Sequence, residues 1–221
     1  MQKLFIAGAG GFAREIAWQL DDNVNSEPSK SEYQFDIQGL VIGEKTATTQ
    51  MAKNKFPVLG NDTWAMAHLN KQFVFLCAIG NPGVRRKVAE AYLSAGFKAA
   101  VFRHFSAQIA GPHTLGKGSM LCMGSSLTGD LIIGEQVIIN INCTIGHDCV
   151  IENYSTLSPG VHLSGKVHIE ENVELGTGAV VLPRIRIGKG AIIGAGAVVR
   201  EDVPPGEIWV GVPARAISSV K

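Results

Sequence analysis

The sequence has no long hydrophobic run and almost no excess charge, and its four cysteines include no CxxC pair. No segment approaches the roughly 18 apolar residues that span a membrane, and residues 1–6 show no signal-peptide hydrophobic region. A net charge of +1 gives no basis for binding nucleic acid or an anionic membrane. Unpaired cysteines are typical of a reducing compartment. We therefore expect a cytoplasmic protein with no nucleic-acid or membrane partner.

A six-residue repeat dominates residues 109–199, where every sixth residue is aliphatic. An α-helix does not explain this period, because a six-residue step turns through about 600° and scatters the aliphatic residues around the axis. Long alternating strands are also excluded, because glycine and asparagine recur too often. In a β-solenoid, by contrast, stacking of the coils buries one aliphatic residue per repeat. The sequence thus predicts a left-handed parallel β-helix over residues 105–204, followed by a tail at 205–221.

A second inward position follows each aliphatic residue by four, and it is usually small or β-branched. This rule places Cys143 and Cys149 inside the solenoid, where we expect them to fill space in the core. It also places His113 inside the first coil.

The first hundred residues have a different pattern, in which apolar strands alternate with helical segments. The predicted strands are residues 3–7, 35–42, 73–79 and 98–102, and the predicted helices are residues 12–20, 63–69 and 83–95. Such alternation is typical of a parallel sheet covered by helices. We therefore predict an α/β, Rossmann-like domain over residues 1–104, with polar connections at 26–32 and 44–55.

A glycine-rich turn at residues 8–13 (GAGGFA) joins the first strand to the first helix. Free backbone N–H groups at such a turn bind phosphates. A nicotinamide cofactor would require an acidic residue at the end of the second strand to bind the ribose, and only Glu44, slightly beyond that end, could serve. The domain is also short for a dinucleotide. Three alternatives remain: NAD(P), a nucleotide-sugar diphosphate, and a purely structural turn. The second is favoured.

The solenoid carries one pair of chemically active residues at an outward position, His147 and Asp148. An imidazole is suited to remove a proton near neutral pH, and a neighbouring carboxylate can orient it. The alternative is an exposed histidine in a turn. A metal site would need three convergent imidazoles, but His113, His162 and His168 share no column of the repeat with His147. No metal is expected.

Five motifs occur in order along the chain: GAGGFARE at 8–15, AIGN at 78–81 followed by Arg85, GHD at 146–148, GAGAVV at 194–199 and VGVPA at 210–214. This set resembles the hexapeptide-repeat sugar acetyltransferases of the PglD/NeuD type. Those enzymes act on UDP-linked 4-amino sugars or on sialic acids in bacterial glycan pathways. One departure is the replacement of an Asp-Asp pair after the second strand by residues 41–43 (VIG), which leaves UDP, dTDP and CMP carriers open.

The resemblance implies a homotrimer with acetyl-CoA in a groove between adjacent prisms and a nucleotide-linked amino sugar on the N-terminal domain. His147 would be the general base, and Asp148 would increase its basicity. The implied acetyl-CoA contacts are Thr156, Gly165, Thr177 and Ala195. The implied nucleotide contacts are Gly10, Gly11, Phe12, Ala13 and Gly60.

The residues and the resemblance together predict an acetyl-CoA-dependent acyltransferase that acetylates an amino group. Direct attack of the amine on the thioester needs a base but no acyl-enzyme, and the N–H of Gly165 could stabilise the oxyanion. One alternative is O-acetylation of sialic acid or another sugar hydroxyl, which the same base would serve. Another is a non-catalytic trimeric scaffold that binds nucleotide sugars, although such a protein would need neither His147 nor Asp148.

Overall fold

The computed structural model describes residues 1–25, 35–44 and 55–220. Its N-terminal part is a five-stranded parallel sheet with the strand order β3-β2-β1-β4-β5. The strands are β1 (Gln2–Ala7), β2 (Phe35–Ile42), β3 (Val58–Asn61), β4 (Val74–Cys77) and β5 (Lys98–Ala99). This confirms the predicted α/β domain. The predicted connection at 26–32 and most of that at 44–55 lie outside the described residues.

Three helices cover the sheet: α1 (Gly11–Asn25), α2 (Asp62–His68) and α3 (Pro82–Ser94). An asparagine side chain caps each of the last two, since Asn61 Oδ1 accepts the Trp64 N–H at 2.8 Å and Asn81 Oδ1 accepts the Val84 N–H at 2.9 Å. Helix α1 packs on one face of the sheet together with the first coils of the solenoid. Helices α2 and α3 pack on the other face. No helix in these three ranges is long and apolar enough to cross a membrane.

The rest of the chain forms a three-sided parallel β-helix of hexapeptide repeats, as predicted. The first side contains β6 (Phe102–Arg103), β9 (Met120–Leu121), β12 (Ile138–Ile139), β15 (Thr156–Leu157), β18 (Glu174–Leu175) and β21 (Ile192–Ile193). The second side contains β7 (Gln108–Ile109), β10 (Ser126–Leu127), β13 (Thr144–Ile145), β16 (His162–Leu163), β19 (Val180–Val181) and β22 (Val198–Val199). The third side contains β8 (His113–Leu115), β11 (Leu131–Ile133), β14 (Val150–Ile151), β17 (His168–Ile169) and β20 (Arg186–Ile187).

The predicted aliphatic column forms the core of the solenoid, and only its first two members, Ile109 and Leu115, are partly exposed. Cys143 and Cys149 point inward, are buried and are free thiols. The expectation for His113 is wrong: its side chain is exposed. His113 lies on β8, the end strand of its side, where no preceding coil covers it, and its Nδ1 lies 3.1 Å from the Gly111 carbonyl oxygen.

Strand pairing passes from the sheet to the solenoid between β5 and β6, close to the boundary predicted at residue 104. The single strand predicted at 98–102 is therefore two short strands that belong to different sheets. Part of the predicted tail also extends the solenoid, because β23 (Glu207–Val210) pairs in parallel with β21. Strand β24 (Arg215–Ser219) then returns antiparallel to β23.

A fully buried arginine joins the two parts of the molecule. From α3, the Arg85 guanidinium donates to the carbonyl oxygens of Ile79 and Gly80 in its own domain and to those of Gln136, Tyr154 and Ser155 in the solenoid. Burial lowers the pKa of Arg85 to about 10, so the side chain remains charged at neutral pH. The orientation of the domain on the solenoid is thus fixed by directional hydrogen bonds.

Candidate active site

His147 and Asp148 lie together at the corner that follows β13. Ile145 is buried, the chain turns, and Asp148 adopts a left-handed conformation with φ of 59°. The corner is stacked between its neighbours, because the Asp148 N–H donates to the Gly129 carbonyl and the Lys166 N–H donates to the His147 carbonyl. Both side chains project outward, with 63% of His147 and 46% of Asp148 exposed.

The two side chains form a hydrogen bond of 2.7 Å between His147 Nδ1 and Asp148 Oδ2. This bond lowers the pKa of Asp148, so the carboxylate is ionised at neutral pH. An ionised carboxylate only accepts hydrogen bonds, so Nδ1 carries the proton. The lone pair of Nε2 is consequently free to take a proton from a substrate.

Gly165 occupies the equivalent position one coil further along and lies against the imidazole. A Cβ atom at this position would stand 2.5 Å from His147 Nε2, so only glycine leaves the ring in place. In the part of the chain that the structure describes, the Gly165 N–H has no acceptor. A hydrogen-bond donor and a basic nitrogen therefore lie side by side at an exposed corner.

The glycine turn forms the floor of a cavity of about 400 Å³ at the carboxyl ends of the strands. Gly8 has φ of 120°, and a Cβ there would stand 2.9 Å from the Ala78 carbonyl oxygen. The first backbone hydrogen bond of α1 runs from the Arg14 N–H to the Gly10 carbonyl oxygen at 3.2 Å, so the N–H groups of residues 11–13 precede the helical ladder. Such groups, at the positive end of the helix dipole, suit a phosphate.

The predicted nucleotide contacts do not all lie in this cavity. Gly10, Gly11 and Phe12 line it, but Ala13 is fully buried beneath the turn and is not among the lining residues. Gly60 is not among the lining residues and packs against Trp64 instead, since a Cβ there would stand 2.6 Å from the Trp64 ring.

Glu44, the late candidate for a ribose ligand, is already bound within the domain. Its carboxylate accepts the Asn61 Nδ2–H and the Thr63 N–H, each at 2.9 Å, and the hydrogen bonds from Thr63 lower its pKa. It therefore caps α2, and the cavity instead contains Asp62, the first residue of that helix.

A second cavity, of about 250 Å³, lies where the domain meets the first side of the solenoid. It shares Phe12 and Gly80 with the first cavity. Its other lining residues are mostly polar or acidic: Glu15, Asn81, Ile138, Asn140, Thr156, Ser158 and Glu174. Sequence reasoning missed Ile138, Asn140, Ser158 and Glu174, because these solenoid residues match no motif and meet the domain only in the folded chain.

The four predicted acetyl-CoA contacts fall into three places within one chain. Gly165 lies beside His147. Thr177 and Ala195 are exposed at the corner between the first and second sides of the prism. Their two coils stack there, because the Gly196 N–H donates to the Thr177 carbonyl oxygen. Thr156 is buried in the second cavity and donates from Oγ1 to the Gly80 carbonyl oxygen at 2.8 Å. Within the described ranges, no three His, Cys, Asp or Glu side chains are placed to hold a metal ion.

Comparison with known families gives two matches along the chain. The model for the PglD N-terminal domain matches residues 3–92, and the model for the bacterial transferase hexapeptide (six repeats) matches residues 130–165 and 166–201. Together they cover most of the described fold, and the transition from sheet to solenoid lies between the two matches.

Similar proteins extend over nearly the whole chain. GDP-perosamine N-acetyltransferase of Escherichia coli O157:H7 is 31% identical over 216 residues, which are 95% of this chain and 94% of that protein. The acetyltransferase domain of PglB from Neisseria gonorrhoeae FA1090 superimposes with a TM-score of 0.84 at 31% identity, covering 98% of this chain and 100% of that one.

PerB from Caulobacter crescentus, in complex with CoA and GDP-perosamine, superimposes with a TM-score of 0.86 at 29% identity, covering 99% of this chain and 98% of that one. The fold and the sequence similarity thus indicate the same family over both domains. The chain belongs to the family of hexapeptide-repeat acetyltransferases with a PglD N-terminal domain.

Proposed function

We propose that this protein transfers the acetyl group of acetyl-CoA to the amino group of a nucleotide-linked amino sugar, with His147 as the general base. The observation that carries the proposal is the 2.7 Å bond from His147 Nδ1 to Asp148, which in the neutral imidazole makes Nε2 the proton acceptor, beside Gly165. The relatives named above support it, since one is an N-acetyltransferase and another binds CoA and GDP-perosamine.

In the proposed reaction the amine attacks the thioester carbonyl carbon, and a C–N bond forms. His147 Nε2 removes a proton from the resulting ammonium, while the Gly165 N–H donates to the oxyanion. Collapse of the tetrahedral intermediate breaks the C–S bond and releases CoA. Asp148 holds the imidazole ring in the orientation that this transfer needs.

The two joined cavities suit the two ends of the acceptor. The N–H groups of Gly11 and Phe12 would bind the diphosphate in the larger cavity, and the polar smaller cavity would hold the sugar ring. Phe12 lines both cavities and would lie beside the bond that links the sugar to the diphosphate.

A second copy of the chain is required to complete this site. The smaller cavity lies on the first side of the prism, whereas His147 lies at the corner between the second and third sides. We therefore propose a homotrimer in which His147 and Gly165 of one copy face the cavities of its neighbour. Thr177 and Ala195, with Thr156 nearby, would then line the acetyl-CoA groove between two prisms. Four free thiols fit a cytoplasmic setting.

The test is thiol release from acetyl-CoA with a panel of UDP-, dTDP-, CMP- and GDP-linked amino sugars and free sialic acid. We expect an amino sugar nucleotide to give turnover, and we expect His147→Ala to lose it by about a hundredfold or more. His113→Ala, an exposed histidine on the first coil, is the matched control and should retain full activity. Sialic acid as the only acceptor would instead indicate O-acetylation.

Binding of acetyl-CoA separates the enzyme from a silent scaffold. A ligand at a hundred times its dissociation constant stabilises the folded state by about 2.7 kcal/mol, so acetyl-CoA should raise the unfolding temperature of both wild type and His147→Ala. Binding of nucleotide sugars without thiol release from any acceptor would favour the scaffold and refute the proposal.

A further inference from the structure

The larger cavity contains one ionisable side chain, Asp62, among the residues that line it. Asp62 is the first residue of α2 and follows β3, the edge strand. Strand β3 is separated from β1 by β2, so Asp62 lies about 9–10 Å across the sheet from the glycine turn. A carboxylate repels a diphosphate, and this separation places it at the nucleoside end of the ligand.

A hydrogen bond from Tyr92 fixes the position of the Asp62 carboxylate. Asp62 Oδ1 accepts the Tyr92 hydroxyl at 2.7 Å, and Tyr92 is fully buried. Its ring packs against Phe5 and Phe75, each at 5.2 Å between ring centroids, and against Phe97 at 5.7 Å. Asp62 Oδ2 has no donor among the described residues. The half-buried carboxylate thus has acceptor capacity that a ligand can fill.

The other side chains that line the cavity are apolar. Ile79, Val84 and Val88 line the cavity, and Val84 remains 49% exposed although it is aliphatic. Gly43 contributes no side chain at the end of β2. Such a lining suits a planar base, which can pack on the aliphatic side chains and direct the polar atoms of its edge towards the carboxylate.

Nucleobases differ in the edge that they present to a carboxylate, which only accepts hydrogen bonds. Guanine presents two adjacent donors, N1–H and the exocyclic N2–H. Uracil and thymine present a single N–H between two carbonyl oxygens, which a carboxylate repels. Cytosine and adenine present an amino group beside an acceptor nitrogen. Guanine alone presents two donors together, one for Oδ2 and one for the acceptor site that Oδ1 keeps beside its bond to Tyr92.

We infer that Asp62, positioned by Tyr92, is the specificity-determining residue that recognises guanine, so that the acceptor is a GDP-linked amino sugar. This inference rests on the proposed function for the sugar, but recognition of the base can be measured without acetyl transfer. A ribose diol also offers two donors, and the test distinguishes this alternative.

The test is calorimetric titration of the 221-residue chain with GDP, IDP, XDP, UDP and dTDP. We expect GDP to bind at least tenfold more tightly than UDP or dTDP, and IDP, which lacks the exocyclic amino group, to bind about tenfold more weakly than GDP. Asp62→Asn replaces one acceptor with a donor. The substitution should weaken GDP binding about tenfold and strengthen XDP binding, because the carbonyl oxygen at C2 of xanthine accepts a hydrogen bond from the new amide donor.

Equal weakening of all five nucleotides in Asp62→Asn would show that Asp62 binds the ribose and would overturn the inference. A wild type that binds UDP as tightly as GDP would overturn it as well. Unchanged binding of acetyl-CoA and an unfolding temperature not below that of wild type control for folding. Acetylation of a UDP-linked sugar alone would refute the guanine inference and leave the proposed function intact.

Discussion

Replacement of Arg85 by methionine should destabilise the protein and uncouple its two domains. The guanidinium donates to five carbonyl oxygens, and among the described residues three of these, on Ile79, Gln136 and Tyr154, accept from no other group. Leaving a buried acceptor unpaired costs about 1–3 kcal/mol. The bonds to Gln136 and Tyr154 are buried, and two such acceptors at about 1.5 kcal/mol each give a loss of about 3 kcal/mol in the free energy of unfolding.

For a chain of this length, 1 kcal/mol shifts the unfolding temperature by about 2–4 °C. Arg85→Met should therefore melt about 6–12 °C below wild type in differential scanning calorimetry. Arg86→Met is the matched control. The Arg86 side chain is 31% exposed and forms a 3.3 Å ion pair with Glu171, which is worth at most about 1 kcal/mol. If Arg85→Met melts within about 2 °C of wild type, the assignment of Arg85 as the interdomain anchor is wrong. Arg85→Lys keeps the charge and part of the donor set, so its unfolding temperature should lie between those of Arg85→Met and wild type.

Three further predictions concern the two sites. Gly165→Ala should lower kcat about a hundredfold, because its Cβ displaces the imidazole, while Gly129→Ala, with no atom closer than 3.5 Å to a Cβ, should retain activity; steady-state kinetics on both variants checks this. Asp148→Asn should lower kcat about tenfold at unchanged acetyl-CoA affinity, because the ring loses its charged acceptor; an unchanged kcat would contradict the role of the 2.7 Å bond. Burial raises the pKa of Asp62, so the folded state binds more protons than the unfolded state between the ordinary carboxyl pKa, near 3.9, and the raised value. Asp62→Asn should therefore be the more stable protein at pH 7, and its advantage over wild type in chemical denaturation should shrink as the pH falls through this window.

Much of the fold follows from the sequence alone. The six-residue period specifies the solenoid because a coil that cannot bury its own aliphatic residue must stack on another, and this constraint acts at every repeat. The strand from Phe35 to Ile42 was predicted with the bounds that are observed, because strand hydrophobicity is a local property of the sequence. The outward position of His147 follows from the same period.

The tertiary structure decided what depends on distant residues. Residues 98–102 read as one strand, but their two ends pair with different sheets, and the pattern of one segment does not contain its partners. His113 obeys the repeat and is still exposed, because the end coil lacks a neighbour. Asp62 faces the cavity because Tyr92, thirty residues later, fixes its carboxylate, and Glu44 is removed from the cavity because it caps α2. Local periodicity thus determined the architecture, whereas the chemistry of the cavity was set by hydrogen bonds between residues far apart in the chain.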